Sequence, residues 1–212
     1  MTSYFVIFVN TPNIPSGKDL NRAFLLVQDF RFNDYPPENG GWKLVTLKDF
    51  SRDKTTAPTF PPLEEVIQNE FAGMSLKQIN EYMLANEDKL VAGDCSPHLW
   101  LVIDEKGFET STCIVCEHVD SSEEEQRVED TSAASGWRGC RLPFEEAHGM
   151  IVNLDIANMD FEEYVDEEAG LQDDGTYNWQ SFDSEDEHSE EPPEWQLARD
   201  AAFEELRQGG FV

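Results

Sequence analysis

The segment Asp94-Cys95-Ser96-Pro97-His98 brings several reactive side chains together within five consecutive residues. Cys95 and Ser96 are possible nucleophiles, and His98 is a possible base. An imidazole that activates a nucleophile is the arrangement used in acyl transfer. We therefore take Cys95, Ser96 and His98 as candidate catalytic residues. The alternative is an ordinary loop before a strand, because neighbours in sequence need not have catalytic geometry.

A second set of polar residues follows two predicted strands. Leu99–Ile103 is apolar on both faces and ends at Asp104, and Met150–Ala157 alternates in the manner of a strand. The candidate binding residues are Asp104, Asn153, Asp155, Asn158 and Asp160. Ligands of α/β sheets gather outside the carboxyl ends of strands, and paired carboxylates suit a guanidinium or an amine. The alternative is that Asn158 and Asp160 only cap a helix that begins at Phe161.

Several strong catalytic and cofactor motifs are missing from the sequence. It contains no glycine-rich dinucleotide fingerprint, no phosphate-binding P-loop, no HExxH and no GxSxG. Cys113 and Cys116 form a CxxC, but within a predicted strand residues three apart point to opposite faces. No second CxxC completes a zinc site. We expect free thiols, no cofactor and no bound metal.

The formal net charge of −29 is concentrated in the second half of the chain, and no Lys or Arg lies between residues 142 and 198. Such a field repels DNA and anionic membranes and attracts basic protein surfaces. A solubilising acidic insert is the alternative explanation. The basic segment Trp137–Arg141 is either an anion contact or the partner of Glu125 and Glu129.

The sequence predicts a protein of the cytoplasm without a membrane span. No run of about 18 apolar residues is present, which is the length that a spanning helix needs. The first residues lack the basic region and the small-residue cleavage site of a signal peptide.

The pattern of elements predicts an α/β or α+β fold, with one mixed sheet flanked by helices. Residues 1–168 form the predicted domain, 169–193 an acidic and flexible segment, and 194–208 a C-terminal amphipathic helix. Further predicted strands are Tyr4–Val9, Trp42–Leu47, Phe108–Val119 and Arg138–Phe144, and the predicted helices include Leu20–Gln28, a helix starting at Leu63, and Leu76–Leu84 capped by Ser75. Tyr177, Trp179 and Phe182 either pin the acidic segment onto the domain or form a short binding motif.

The segment Asn153–Phe161 reads NLDIANMDF. It resembles the NLxIANMDF string of a family of small bacterial and fungal proteins, most of which have no assigned function. The resemblance covers roughly residues 95–168. In size, acidity and stand-alone architecture the chain also looks like fungal arginine-containing cyclodipeptide synthases, although no functional residue of that family is carried over to this sequence.

This resemblance implies synthesis of an arginine-containing cyclic dipeptide from aminoacyl-tRNAs. The acidic residues would bind the arginine side chain, and a base would free the attacking amine. A tRNA partner requires a basic track, and the first 54 residues hold Lys18, Arg22, Arg31, Lys43, Lys48, Arg52 and Lys54. The alternative function is non-enzymatic: an acidic binding or inhibitor protein that masks a basic protein partner, or a scaffold whose tail recruits partners.

Overall fold

The computed structural model describes residues 4–13, 16–31, 41–49, 58–63, 68–119, 136–181 and 192–212. The strands are β1 (Tyr4–Val9), β2 (Trp42–Leu44), β3 (Cys95–Ile103), β4 (Thr112–His118), β5 (Trp137–Pro143) and β6 (Tyr177–Asn178). The α-helices are α1 (Gly17–Leu26), α2 (Leu76–Ala85), α3 (Glu87–Ala92), α4 (Glu105–Thr110), α5 (Ala147–Asp155) and α6 (Glu194–Gln208). None of the helices in these ranges has the length and apolar content needed to cross a membrane.

The six strands form one mixed sheet in the order β2-β1-β3-β4-β5-β6. Strand β1 runs parallel to β2 and β3, β4 is antiparallel to β3 and β5, and β6 is parallel to β5. Helices cover both faces of this sheet, so the predicted α/β fold with a mixed sheet and a C-terminal helix is confirmed.

Two apolar layers fix the central strands between the helices. Ile7, Leu101 and Val115 face α1 and α5, and the intervening residues Trp100 and Val102 belong to the layer packed against α2 and α3. Because both faces are covered, β1 and β3 are apolar along nearly their whole length, as expected for buried central strands.

The four cysteines are free and buried, as the sequence predicts. Cys113 packs in the layer beside α1 and α5, whereas Cys116 packs in the opposite layer. Burial raises the pKa of the Cys140 thiol to about 12 and also raises the pKa values of Cys113 and Cys116. The CxxC spacing therefore places two inert thiols on opposite faces of the sheet.

The strand prediction for Met150–Ala157 is wrong, because this segment lies mainly in helix α5. Ala147, Met150 and Ile151 are buried at helical spacing, whereas Ile156 at the end of the predicted strand is 49% exposed. The alternating pattern of Met150 to Ile156 is equally compatible with a helix that buries one side. A short 3-10 helix, Phe161–Tyr164, then follows, and Asp160 is its N-cap residue. Asp160 is one of the two residues predicted to cap a helix beginning at Phe161.

Three smaller predictions also differ from the structure. Cys95–His98 belongs to β3 rather than to a loop. The register of β3 with β1 is irregular here, since it shifts between the pair of Tyr4 with Cys95 and the pair of Val6 with Trp100. Residues 108–110, predicted as the start of the strand Phe108–Val119, lie in helix α4. The predicted helix start at Leu63 runs into residues 64–67, which lie outside the described residues.

The first part of the predicted acidic segment 169–193 packs against the domain. Tyr177 pairs with Cys140 in the sheet, and its ring lies 6.0 Å from that of Phe161. Trp179 donates its backbone N–H to the carbonyl of Arg141. These contacts correspond to the pinning alternative for Tyr177 and Trp179, while Phe182 lies outside the described residues.

The packing at Gly107 gives a direct test of how α4 is joined to β4. A Cβ at Gly107 would overlap the backbone carbonyl oxygen of Thr112. We expect Gly107→Ala to lower the free energy of unfolding by about 1–3 kcal/mol, the range for overpacked sites. Gly149→Ala is the matched control, since a Cβ there meets nothing within 4 Å, and it should stabilise helix α5 by about 0.5–1 kcal/mol. Equal effects in urea unfolding would contradict this packing.

Candidate functional site

The three candidate catalytic residues lie at the amino end of β3 and not in one reactive arrangement. Cys95 is buried with its Sγ 3.5 Å from the carbonyl of Gly93, and Ser96 is 3% exposed and accepts a hydrogen bond from the N–H of Leu99. His98 is exposed to solvent. From Leu99 the strand runs roughly 16 Å before it reaches Asp104, so the candidate catalytic residues and Asp104 are held at opposite ends of β3.

Asp104 does bind a guanidinium, but that guanidinium belongs to the chain itself. Arg141 of β5 donates to both carboxylate oxygens of Asp104, at 3.0 and 2.5 Å. Asp104 also caps α4 by accepting the N–H of Gly107 at 2.7 Å. The carboxylate that the sequence analysis assigned to a guanidinium or amine ligand is thus paired with a guanidinium of the chain itself.

The same Arg141 reaches the segment before β6. Its Nη2 lies 3.2 Å from Asp174, whose carboxylate also accepts from the backbone N–H and the hydroxyl of Thr176. Burial of Asp174 opposes its ionisation, but the hydrogen bonds from Thr176 and the charge of Arg141 outweigh that effect and lower its pKa. Burial likewise disfavours the charged form of Arg141, yet its bonds to Asp104 and Asp174 raise its pKa overall.

The remaining candidate binding residues close the turn between α5 and the 3-10 helix. Asn158 donates from its side chain to the Oδ1 of Asn153 at 2.8 Å, and Asn153 donates to the carbonyl of Gly149. The backbone N–H of Asp160 donates to Glu163 at 2.7 Å. Asp155 is half-buried at the end of α5. Asp160 therefore occupies the N-cap of the 3-10 helix, as the capping alternative expects, whereas Asn158 bonds to Asn153 and does not cap that helix.

The basic segment 137–141 serves internal ion pairs. Arg138 lies 2.7 Å from Glu117 and 2.7 Å from Glu162, and its guanidinium stacks 4.5 Å above the ring of Phe161. The predicted partners Glu125 and Glu129 lie outside the described residues. Arg138 therefore ties β4, β5 and the 3-10 helix together.

A pocket of about 50 Å³ lies between the end of α1, the start of α5 and the start of α6. We call it the Trp195 pocket; its wall includes Asp29, Arg31, Glu146, His148 and Trp195. This volume exceeds the space that one water needs, of about 10–15 Å³, and suits a group of a few atoms. A base, carboxylates and guanidinium groups thus surround one small opening, which the sequence analysis did not identify.

His148 is the base of the Trp195 pocket. Its Nδ1 lies 3.7 Å from the carboxylate of Asp29, which is 7% exposed, and its ring meets Trp42 edge-on with the ring centres 6.1 Å apart. Burial lowers the pKa of His148, and the charge of Asp29 only partly offsets this. The lowered pKa favours the neutral imidazole, which is the protonation state required of a general base near neutral pH.

Two guanidinium groups lie over the indole ring of Trp195. The Arg31 guanidinium is 5.0 Å from the ring centre and 3.1 Å from Glu146. The Arg199 guanidinium is 5.3 Å from the same ring and 3.9 Å from Glu145. An aromatic face with flanking carboxylates is an arrangement that favours guanidinium binding.

The sequence contains only a weak indication of the Trp195 pocket, because the residues of its wall are far apart in the sequence. Asp29 follows α1, His148 lies in the first turns of α5, and Trp195 lies in α6. The incorrect strand prediction for Met150–Ala157 also hid the helix that carries His148. The sequence signal available was the run Glu145-Glu146-Ala147-His148, which places two acids and an imidazole at the start of one helix.

Comparison with known proteins identifies a family for this arrangement of strands. The family described as Domain of unknown function (DUF6924) matches residues 42–180. The chain belongs to this family. No curated protein and no solved structure matches the chain. The match runs from β2 to β6 and includes His148 and the NLDIANMDF segment, whereas Asp29 and Trp195 lie outside it. Membership in an uncharacterised domain family is therefore shown, whereas the NLxIANMDF signature and the resemblance to cyclodipeptide synthases stay predictions.

The ion pair at the carboxyl end of β3 generates the first prediction for this region. Asp104→Asn keeps an acceptor for the Gly107 N–H but leaves the buried Arg141 guanidinium without its main counter-charge. We expect the free energy of unfolding to fall by about 2–4 kcal/mol. This is no more than the cost of breaking a fully buried ion pair, because the Asp104 side chain is 24% exposed. The control Glu109→Gln, on the exposed side of α4, should change stability by less than about 0.5 kcal/mol. Equal urea midpoints for the two variants would contradict this account.

The lowered pKa of His148 predicts a specific dependence of stability on pH. Folding favours the neutral imidazole of His148, because its pKa is lower in the folded than in the unfolded protein. The contribution of His148 to the free energy of unfolding is therefore complete above the unfolded pKa of about 6.5. That contribution is lost as the pH falls through the lower folded pKa. The difference in unfolding free energy between wild type and His148→Gln should therefore shrink between about pH 7.5 and about pH 5. A difference that grows on acidification would show that Asp29 dominates and raises the pKa.

Proposed function

We propose that this protein is an aminoacyl transferase that joins arginine and a second amino acid into a cyclic dipeptide, with His148 as the general base. The observation that carries this proposal is the His148–Asp29 pair on the wall of the Trp195 pocket. Formation of an amide from an amino group requires removal of a proton from nitrogen, and a neutral buried imidazole suits that step. In this proposal the Trp195 pocket replaces the Cys95–His98 segment as the catalytic region.

The chemical step can be assigned to atoms of the pocket. The α-amino group of one aminoacyl ester attacks the carbonyl carbon of the other, so that a C–N bond forms and the ester C–O bond breaks. The amine proton passes to the Nε2 of His148, since its Nδ1 faces Asp29, and then to the departing ribose hydroxyl. A second attack of the same kind closes the ring and releases the second tRNA.

The side chains around Trp195 supply a rationale for arginine as a substrate. Arg31 and Arg199 already stack on the indole and pair with Glu146 and Glu145. An incoming arginine would use the same aromatic face and the same carboxylates by exchanging with one of these side chains. Glu146 is 28% exposed and Arg31 is 45% exposed, so such an exchange costs little because exposed pairs contribute about 0–1 kcal/mol.

The described cations allow only a limited contact with tRNA. Lys18 and Arg22 are exposed on α1, and Arg31 is exposed at the pocket. Lys43 is not available, because it is 5% exposed, donates to the carbonyl of Gly93 and stacks over Tyr4. Arg52 and Lys54 lie outside the described residues. We therefore expect the tRNA to be contacted through its acceptor end, along α1.

A specific observation also favours the second candidate, a binding protein that masks a basic partner. Exposed acids follow one another along the turn after α5 and the segment before β6: Asp160, Glu163, Glu167, Glu168 and Asp173. No Lys or Arg separates them. Such a surface attracts basic proteins and speeds their association at low ionic strength. Deletion of residues 170–192 would not test this function cleanly, because it removes β6 and the Asp174 partner of Arg141.

The proposed activity is tested by mass spectrometry of small molecules from a microbial host that expresses the chain. We expect a new arginine-containing diketopiperazine with the wild type and at least a hundredfold less product with His148→Gln, which matches general-base contributions of about 10²–10⁴. Asp29→Asn should also lower the yield, whereas Asp88→Asn on the exposed face of α3 should not. Protein levels in the soluble fraction are the control for expression.

Two results would contradict the proposal. If soluble wild type gives no new product, the activity is absent and a pull-down with basic proteins tests the second candidate. If His148→Gln retains the product while His98→Gln or Ser96→Ala abolishes it, the catalytic region is the amino end of β3 and not the Trp195 pocket.

A further inference from the structure

We propose that His98 and His118 form a binding site for a divalent transition-metal ion. The two imidazole rings lie side by side, with their centres 6.0 Å apart and their planes inclined by 24°. His98 lies in β3, and His118 is the last residue of β4. Each of them adjoins one member of the pair Leu99 and Glu117, which lie opposite each other in the β3–β4 ladder. The antiparallel ladder thus holds two imidazoles at one end of neighbouring strands.

The spacing of the rings is close to that of two ligands on one metal ion. Imidazole nitrogens bind zinc at about 2.0–2.1 Å, which places the ring centres of two ligands roughly 5–6 Å apart in tetrahedral geometry. Because the planes of His98 and His118 are nearly parallel, at least one ring must turn to share an ion. His98 is exposed, so its ring can rotate about its side-chain bonds while the strand holds its backbone.

Unpaired buried atoms provide a second, independent indication at this end of the sheet. The Nδ1 of His118 is buried and has no hydrogen-bond partner among the described residues. The same holds for the Oδ1 of Asn80, a side chain that is 3% exposed. Asn80 donates to the carbonyl of Gly136, and the next residue, Trp137, is the β5 partner of His118.

These two atoms have complementary roles in a metal site. When an imidazole binds a metal through Nε2, its Nδ1 carries a proton and requires an acceptor, which is commonly a carbonyl or carboxylate oxygen. Asn80 Oδ1 is an unused acceptor at the same end of the sheet. Metal binding through the Nε2 of His118 would fix one tautomer of its ring, with the proton on the buried Nδ1.

The ligand type indicates which ions the site favours. Imidazole nitrogen prefers zinc, copper and nickel over magnesium and calcium, which require oxygen ligands. No group of three or more His, Cys, Asp or Glu side chains in the described ranges can hold a metal. The remaining positions of an ion bound by His98 and His118 would thus be filled by water, and the net charge of −29 would favour its approach.

Calorimetric titration of Zn²⁺ into the tag-free protein tests the site. We expect binding of one Zn²⁺ that persists in excess Mg²⁺, which occupies the acidic surface through oxygen ligands. His98→Gln and His118→Gln should each weaken Zn²⁺ binding by at least about tenfold, as expected for loss of one of two protein ligands. The matched control His148→Gln changes a histidine in the Trp195 pocket and should leave Zn²⁺ binding within about twofold of wild type.

Thermal unfolding separates a lost ligand from a lost fold. Wild type should gain thermal stability with Zn²⁺, because a ligand that binds the folded state alone raises the melting temperature. His98→Gln changes an exposed side chain and should melt at the wild-type temperature without Zn²⁺ while losing the Zn²⁺-dependent rise. If the wild type binds no Zn²⁺ in excess Mg²⁺, or if His98→Gln binds it as tightly as wild type, the site does not exist.

Discussion

A permanently charged guanidinium within the sheet constrains the rest of the fold. Arg141 is 7% exposed, and burial of an unpaired charge is strongly unfavourable, so counter-charges must be present around it. Asp104 supplies two of its hydrogen bonds and Asp174 a third. The pairing joins the end of β3 and the cap of α4 to β5 and the segment that leads to β6, so one side chain fixes four elements.

This pairing also determines where function can reside. The carboxyl end of β3 is the usual place for a ligand in an α/β sheet, but here its carboxylate is already engaged by the chain. In the Trp195 pocket the ion pair of Arg31 with Glu146 is more exposed, and burial lowers the pKa of the His148 imidazole. A tightly paired internal guanidinium thus stabilises the fold, whereas the loosely paired guanidinium groups of the Trp195 pocket are those with which we propose that a substrate exchanges.

The sequence predicted those parts of the fold that depend on local pattern. The strand Tyr4–Val9 is recognisable because it is apolar on both faces. The helix that Ser75 caps is recognisable from its capping box. Met150–Ala157 was misassigned because a helix with one buried side and a strand share its apolar spacing over so few residues. Two tertiary contacts leave no local signal in the sequence. They are the pairing of Arg141 with Asp104 and the approach of His148 to Asp29, which is far away in sequence.

We propose that His148 is a neutral base in a pocket that recognises arginine. The most direct test of this proposal is nitrogen-edited NMR of the histidine rings while L-arginine methyl ester, an aminoacyl ester without tRNA, is added at about pH 7, above the ordinary histidine pKa of about 6.5. We expect His148 to be neutral and its ring resonances to shift on addition of the ester, whereas those of His98 stay in place. A charged His148, or an ester that moves the resonances of His98 and not those of His148, would contradict the proposal.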